Sequence, residues 1–220
     1  MKMSIVNKKE RHVNKLLKCL ITVALFVFTL NAWALSLNEL SATLQKSPNL
    51  LANYTQDKTL NKLNKVLKSS GEVVIVDNKN VFFRQNEPFE LEQIITPNRF
   101  AQIMDDEVNE ITKENNPQLF EISNLLLNIF SMNEVNDKYF AYTLDGELND
   151  WSLVMEPKDE LLAKIFKSIK IKGSENVKEI VIEDASQDTT KINFSDFKTF
   201  SSKDLDKIKL TQKEQSYLVK

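Results

Sequence analysis

From Leu51 onward, branched and aromatic residues recur in short runs separated by turn-forming residues. This spacing predicts strands over 51–59, 71–76, 81–85, 89–95 and 100–104, since runs of this length and composition suit a pleated, half-buried surface. The breaks fall at Asp77-Asn78-Lys79-Asn80, Asn86-Glu87-Pro88 and Pro97-Asn98, residue types that favour tight turns. Connections this short leave no room for crossover helices, so neighbouring strands must run antiparallel. Val73 and Ile75 alternate with Glu72, and Phe89 and Leu91 with Glu90 and Glu92. Such alternation gives a strand one wet and one apolar face. A second group of strands is expected over 139–144, 151–155, 169–172, 177–183 and 191–197, with a hairpin turn at Asp145-Gly146. The stretch 159–166 reads either as a helical turn or as a bulged approach to the next strand.

Helical signals are fewer. Ser36-Leu37-Asn38-Glu39 has the form in which Ser and Glu cap each other's free backbone donors, and Leu37, Leu40 and Leu44 then share one face. A helix over 37–46 follows, ended by Pro48. Thr211-Gln212-Lys213-Glu214 repeats the capping form and predicts a short terminal helix. Between the two strand groups, residues 117–132 are apolar on more than one side of a helix, which demands cover on more than one side. That helix is either sandwiched in the core or a lid, with one face on the scaffold and another on a ligand. The fold class is mainly β with a helical cover, in one domain over 35–220, with no internal repeat or linker.

The N-terminus changes where this domain is expected to work. Lys2, Lys8, Lys9, Arg11, Lys15 and Lys18 precede an apolar run over 19–30 and the small-residue sequence Ala32-Trp33-Ala34. This is the layout of a signal peptide, with cleavage after Ala34 and delivery to the periplasm. Twelve apolar residues fall short of the ~20 needed to span a bilayer. Cys19 stands at the start of the apolar run and not at a cleavage site after it, so it cannot become a lipid-modified first residue.

Composition then narrows the chemistry. Cys19 and His12 are the only cysteine and histidine, and both lie in the leader. Residues 35–220 therefore lack the means for His-based triads, Cys nucleophiles, disulfides and ordinary zinc or copper sites. Glycine occurs only at 71, 146 and 173, which excludes the usual glycine-rich phosphate loops. The leader holds six of the 29 basic residues and one of the 31 acidic ones, leaving residues 35–220 with a net charge of −7. Lys and Arg are spread among acids, which argues against a nucleic-acid partner. Asp105-Asp106-Glu107 lacks the alternating ligands of a calcium loop and reads as solvated. Catalysis by carboxylates, Lys or Tyr stays open, yet no spacing advertises a pair. No enzyme activity, metal or cofactor is expected.

The order of elements carries a resemblance. Tyr54-Thr55-Gln56 is followed by Gly71-Glu72-Val73-Val74-Ile75-Val76, Asn80-Val81-Phe82-Phe83 and Glu92-Gln93-Ile94-Ile95, then by Met155-Glu156-Pro157, Ile169-Lys170-Ile171 and Thr190-Lys191-Ile192-Asn193-Phe194. This series resembles the LolA family of periplasmic lipoprotein carriers, and the ending Leu210 to Glu214 with Tyr217 looks like a divergent side branch. The resemblance covers most of 36–218. It implies a curved antiparallel sheet, a half-open barrel covered by helices, with an apolar cavity for acyl chains. It also implies an inner-membrane donor, an outer-membrane acceptor and a monomeric carrier. Acyl chains need apolar area, at about 0.8 kcal/mol per buried methylene, and no catalytic group. Expected lining residues are Val73, Ile75, Phe82, Leu91 and Ile95 on the sheet, and Phe120, Leu126, Ile129 and Phe130 on the lid. Two departures stand out. Asn78-Lys79 occupies a place where the family has a basic residue and Pro, and Arg84 replaces an aromatic aimed into the cavity. Either Arg84 turns outward and leaves the inner face to Val81 and Phe83, or the cavity takes a lipid with a negative group. The rival reading is a periplasmic module of the same fold that holds a peptide or partner protein.

Overall fold

The computed structural model describes residues 35–117, 120, 123, 124, 127, 128 and 139–219; the leader and the expected lid residues Leu126, Ile129 and Phe130 lie outside them. Residues 35–220 form one compact unit. Eleven antiparallel strands make a single open sheet. The first meander contains β1 (Leu50–Leu60), β2 (Lys65–Val76), β3 (Asn80–Glu87), β4 (Leu91–Ile95), β5 (Arg99–Met104) and β6 (Glu107–Thr112). The second contains β7 (Phe140–Glu147), β8 (Asp150–Pro157), β9 (Phe166–Gly173), β10 (Val177–Asp184) and β11 (Thr189–Thr199). The meanders join where β1 pairs with β11, so the sheet order runs β6 to β1, then β11 back to β7. The expected fold class, a curved half-open barrel with helical cover, is what forms.

The concave face carries the main apolar layer. Side chains as far apart in the sheet as Val81 and Phe83 on β3, Tyr54 on β1 and Trp151, Leu153 and Met155 on β8 join one cluster, which only a curved sheet allows. Helix α1 (Leu37–Leu44) covers it through Leu37, Leu40 and Leu44, the face expected from their spacing. Its capping box is formed, with the Glu39 backbone N–H donating to Ser36 Oγ at 3.2 Å and the Ser36 N–H to Glu39 Oε2 at 3.0 Å. In the connection between meanders, Phe120, Ser123 and Leu127 are helical and buried at spacings of three and four residues, and Leu127 packs into the concave layer.

The convex face departs from the expectation of one wet face. Val74, Val76, Phe82, Ile94, Ala101 and Ile103 form a second apolar layer there. It is covered by the chain's end, a 3-10 helix over Ser202–Ile208 and helix α3 (Gln212–Tyr217), with Leu210 buried in it and Tyr217 and Leu218 packed against it. Strand β3 is therefore buried on both sides at Val81, Phe82 and Phe83, and three consecutive apolar residues show no alternation. Between β8 and β9, Asp159 caps the short helix α2 (Glu160–Ala163), so the helical-turn reading of 159–166 holds.

Two local expectations shift. The hairpin between β7 and β8 turns at Leu148-Asn149, because Asp145 and Gly146 already pair with Ser152 and Trp151. Gly146 has φ +97° and a Cβ there would lie 2.2 Å from the Asp150 carbonyl oxygen, so the glycine serves a close approach within the strand pair. Phe89 precedes β4 and is exposed.

Candidate functional site

An apolar cleft opens on the concave face at one end of the central strands. Leu44 and Ser47 at the end of α1 form one wall. Leu50 and Ala52 of β1 with Val73 and Ile75 of β2 form the floor, and Val177, Phe194 and Phe197 the opposite wall. Asn78 and Asn176 sit at the rim, and among the described residues no charged side chain lines the cleft. About 50 Å³ of it is open to the centres of water-sized spheres, and about 560 Å³ is free of atoms when counted out into open solvent. Leu44, Leu50, Ile75, Val177, Phe194 and Phe197 are only partly buried, unlike core side chains, so they present apolar surface that something else could cover.

The local fold explains how two aromatics reach one wall. Leu51 pairs with Lys198 but Asn53 with Ser195, so β11 carries an extra residue opposite Ala52. Asp196 takes a left-handed φ of 55° at this bulge, and the Asn53 Nδ2 group donates to its carboxylate at 2.9 Å. A bulge shifts the side-chain parity, so Phe194 and Phe197, three apart in sequence, both face the cleft. Deeper in the same layer, Tyr54 and Phe83 meet edge to face at 5.3 Å, and burial pushes the Tyr54 hydroxyl up to about 12.

Of the expected lining residues, Val73 and Ile75 are in the cleft. Ile95 is buried in the same concave layer but does not reach it. Leu91 borders a separate shallow depression near Arg84, Glu92 and Lys213. Phe82 is corrected: it lies in the convex layer with Ile94 and Leu210, because Val81 and Phe83 take the inner positions. Phe120 is buried without joining the cleft. The walls supplied by α1 and β11 were missed, since their residues read as ordinary helix face and strand.

Arg84 turns outward. Its Nε and Nη2 donate to Glu214 at 2.7 and 2.6 Å, and Glu214, fully buried, also accepts from the Thr211 N–H at 2.7 Å. Arg84 is thus accounted for by an acid in the chain's own last helix. Among the described residues, no group of three or more His, Cys, Asp and Glu side chains converges as a metal site would.

No family model and no curated protein matches the sequence. Solved structures do. Similar folds include a LolA superfamily protein from Nitrosomonas europaea, at TM-score 0.46 and 10% identity over 82% of this chain and 100% of the other. The MucA/MucB complex of Pseudomonas aeruginosa matches at TM-score 0.44 and 10% identity, over 80% of this chain and 61% of the other. LprF from Mycobacterium bovis matches at TM-score 0.31 and 13% identity, over 75% and 95%. The fold is similar to that of LolA-like proteins. The Asn78-Lys79 turn has a local role: the Asn78 N–H donates to the Pro48 carbonyl at 2.9 Å and the Asp77 N–H to Asn49 Oδ1 at 2.8 Å, tying the β2–β3 turn to the α1–β1 connection.

Proposed function

We propose that this protein is a periplasmic carrier that binds acyl chains of lipoproteins or related lipids in the concave cleft and moves them between inner and outer membranes, without catalysis. The observation that carries the reading is the wall of partly exposed aliphatic and aromatic side chains with no charge among them. Such a site gains from burying methylenes and asks for almost no hydrogen bonds. Residues 1–34 would be removed on export, and donor and acceptor proteins would load and unload the cleft. The cleft leaves only about 50 Å³ to the centres of water-sized spheres, so loading an acyl chain would need its cover, α1 included, to give way.

The test is paired. Leu44→Trp fills the cleft from a half-exposed position, so affinity for a fluorescent fatty-acyl probe should fall about tenfold while the melting temperature moves by only a few degrees. Native mass spectrometry of protein from the periplasm should show bound lipid in the wild type and less in the variant. Unchanged probe affinity in Leu44→Trp, or a bound peptide in place of lipid, overturns the carrier reading.

A further inference from the structure

The hairpin between β1 and β2 runs past the end of β3, while on its other side β1 stays paired with β11 as far as Thr59↔Thr189. Pairing of β2 with β3 stops at Ser70↔Glu87, yet β2 continues to pair with β1 as far as Leu60↔Lys65. Beyond Ser70 the hairpin has lost its β3 neighbour, and every residue over 61–68 is exposed. At its tip Leu63 is 65% exposed, Val66 50% and Leu67 53%. Aliphatic side chains grouped at a hairpin turn, with no layer packed on them among the described residues, mark a surface open to another phase or partner.

The charge around them is of one sign. Lys58, Lys62, Lys65 and Lys68 fall within eleven residues, and no Asp or Glu occurs between Lys58 and Gly71, in a domain whose net charge is −7 over 35–220. Lys68 is paired with Asp57 at 3.3 Å, while Lys62 and Lys65, flanking Leu63, make no ion pair among the described residues. Strand alternation puts Val66 and Leu67 on opposite faces, with a lysine next to each, so the tip is a wedge with an apolar end and basic sides. The turn itself is anchored on one side: the Asn61 N–H donates to Asp188 Oδ1 at 2.8 Å and its side-chain amide to the Gln187 carbonyl, both in the β10–β11 turn.

We propose that this tip docks on the anionic phospholipid surface of a membrane, with Leu63, Val66 and Leu67 entering the headgroup region and Lys62 and Lys65 meeting the phosphates. An apolar end flanked by cations fits that boundary on both counts. An acidic protein would satisfy the lysines alone. Few inserted side chains and few cations give weak, salt-sensitive and reversible attachment, which lets the protein leave again. This inference does not depend on what fills the cleft.

The experiment is flotation of the protein, purified in the form the cell accumulates, with vesicles of equal parts phosphatidylglycerol and phosphatidylcholine, beside pure phosphatidylcholine. Binding to the anionic vesicles only, weakened by added salt, is expected. Lys62→Glu/Lys65→Glu and, separately, Leu63→Ser/Leu67→Ser should each lower partitioning about tenfold or more. All four positions are exposed, so both variants should melt like the wild type and still bind the acyl probe, which separates docking from the cleft. Leu63→Trp should shift its emission to the blue on anionic vesicles, whereas a reporter at the other exposed hairpin, Leu148→Trp, should not. Equal partitioning of wild type and both variants, or no binding to anionic vesicles, overturns the proposal. So does a requirement for a soluble acidic protein, or self-association through the free β2 edge that the lysine variant abolishes without vesicles.

Discussion

Arg84 lies in a row of charges that crosses three strands, with Glu72 opposite it on β2 and Glu92 on β4. Glu214 then descends from α3, making three carboxylates around one guanidinium. All three cannot stay ionised cheaply, and Glu92 yields: burial first, then repulsion from Glu214, with which it shares a hydrogen bond, push its carboxyl up to about 7, against weaker opposing pulls from Arg84 and Lys213. The unfolded chain releases this proton near the ordinary 4.5. Between about pH 4.5 and 7 the folded state thus holds more protons than the unfolded one, and stability falls as pH rises through that window. Melting temperature should be higher at pH 5 than at pH 8, and Glu92→Gln should flatten the difference. An unaltered slope in the variant would place the proton elsewhere. Glu39, Glu179, Asp184 and Asp204 are held below their ordinary values by hydrogen bonds and cations, so their contribution is lost only at lower pH. A second residue-scale expectation concerns Gly71, where β2 and β3 shift register and a Cβ would sit 1.9 Å from the Arg84 carbonyl oxygen. Backbone must move to admit it, so Gly71→Ala should destabilise by about 2 kcal/mol or more in denaturant titration.

At the scale of elements, the chain's end is a strap that adds polar attachments to its apolar contacts with the convex layer. Asn80 accepts from the Val219 N–H at 2.9 Å and donates to its carbonyl at 3.2 Å. The Tyr217 hydroxyl donates to Glu110, and Arg99 lies 5.3 Å from the Tyr217 ring centre. The Glu214–Arg84 pair is the buried member of this set, and truncating one partner leaves the other charged and poorly solvated. Glu214→Ala should therefore cost about 3 kcal/mol and expose the segment 200–219 to limited proteolysis. Arg84→Met/Glu214→Leu should recover much of that loss, since an apolar pair of similar size needs no solvation. If the single and double variants are cut equally fast, the strap is held by Leu210, Tyr217 and Leu218 alone.

For the whole molecule, the central strands and the cover differ in how firmly they are fixed. β1 and β11 are hydrogen-bonded on both sides, whereas α1 has eight residues, too few to persist as an isolated helix, and is held by one apolar face. Hydrogen exchange should find the α1 amides opening below the global unfolding free energy, with β1 and β11 exchanging last, and a bound acyl probe should slow α1 selectively. Exchange of α1 only with the global transition would mean that the helix does not gate the cleft.

The sequence marked most of the strands, their antiparallel pairing and both capping boxes, because turn residues, short connections and Ser/Thr-x-x-Glu act locally. It missed β6 and the outer half of β2, since Glu107-Val108-Asn109-Glu110 and Lys65-Val66-Leu67-Lys68 gain strand conformation from pairing partners while burying little. It also identified Val73 and Ile75 as inward, because alternation with Glu72 is a local signal. Which face Phe82 took was undecidable, as three consecutive apolar residues fit either register until the C-terminal strap covers the convex side. Tertiary structure alone decided the fate of Arg84, whose partner is 130 residues away, and the cleft wall at Phe194 and Phe197, which depends on a bulge set by pairing with β1. Local chemistry fixes which segments extend or coil; only the meeting of distant segments fixes which faces are covered and what remains open for a ligand.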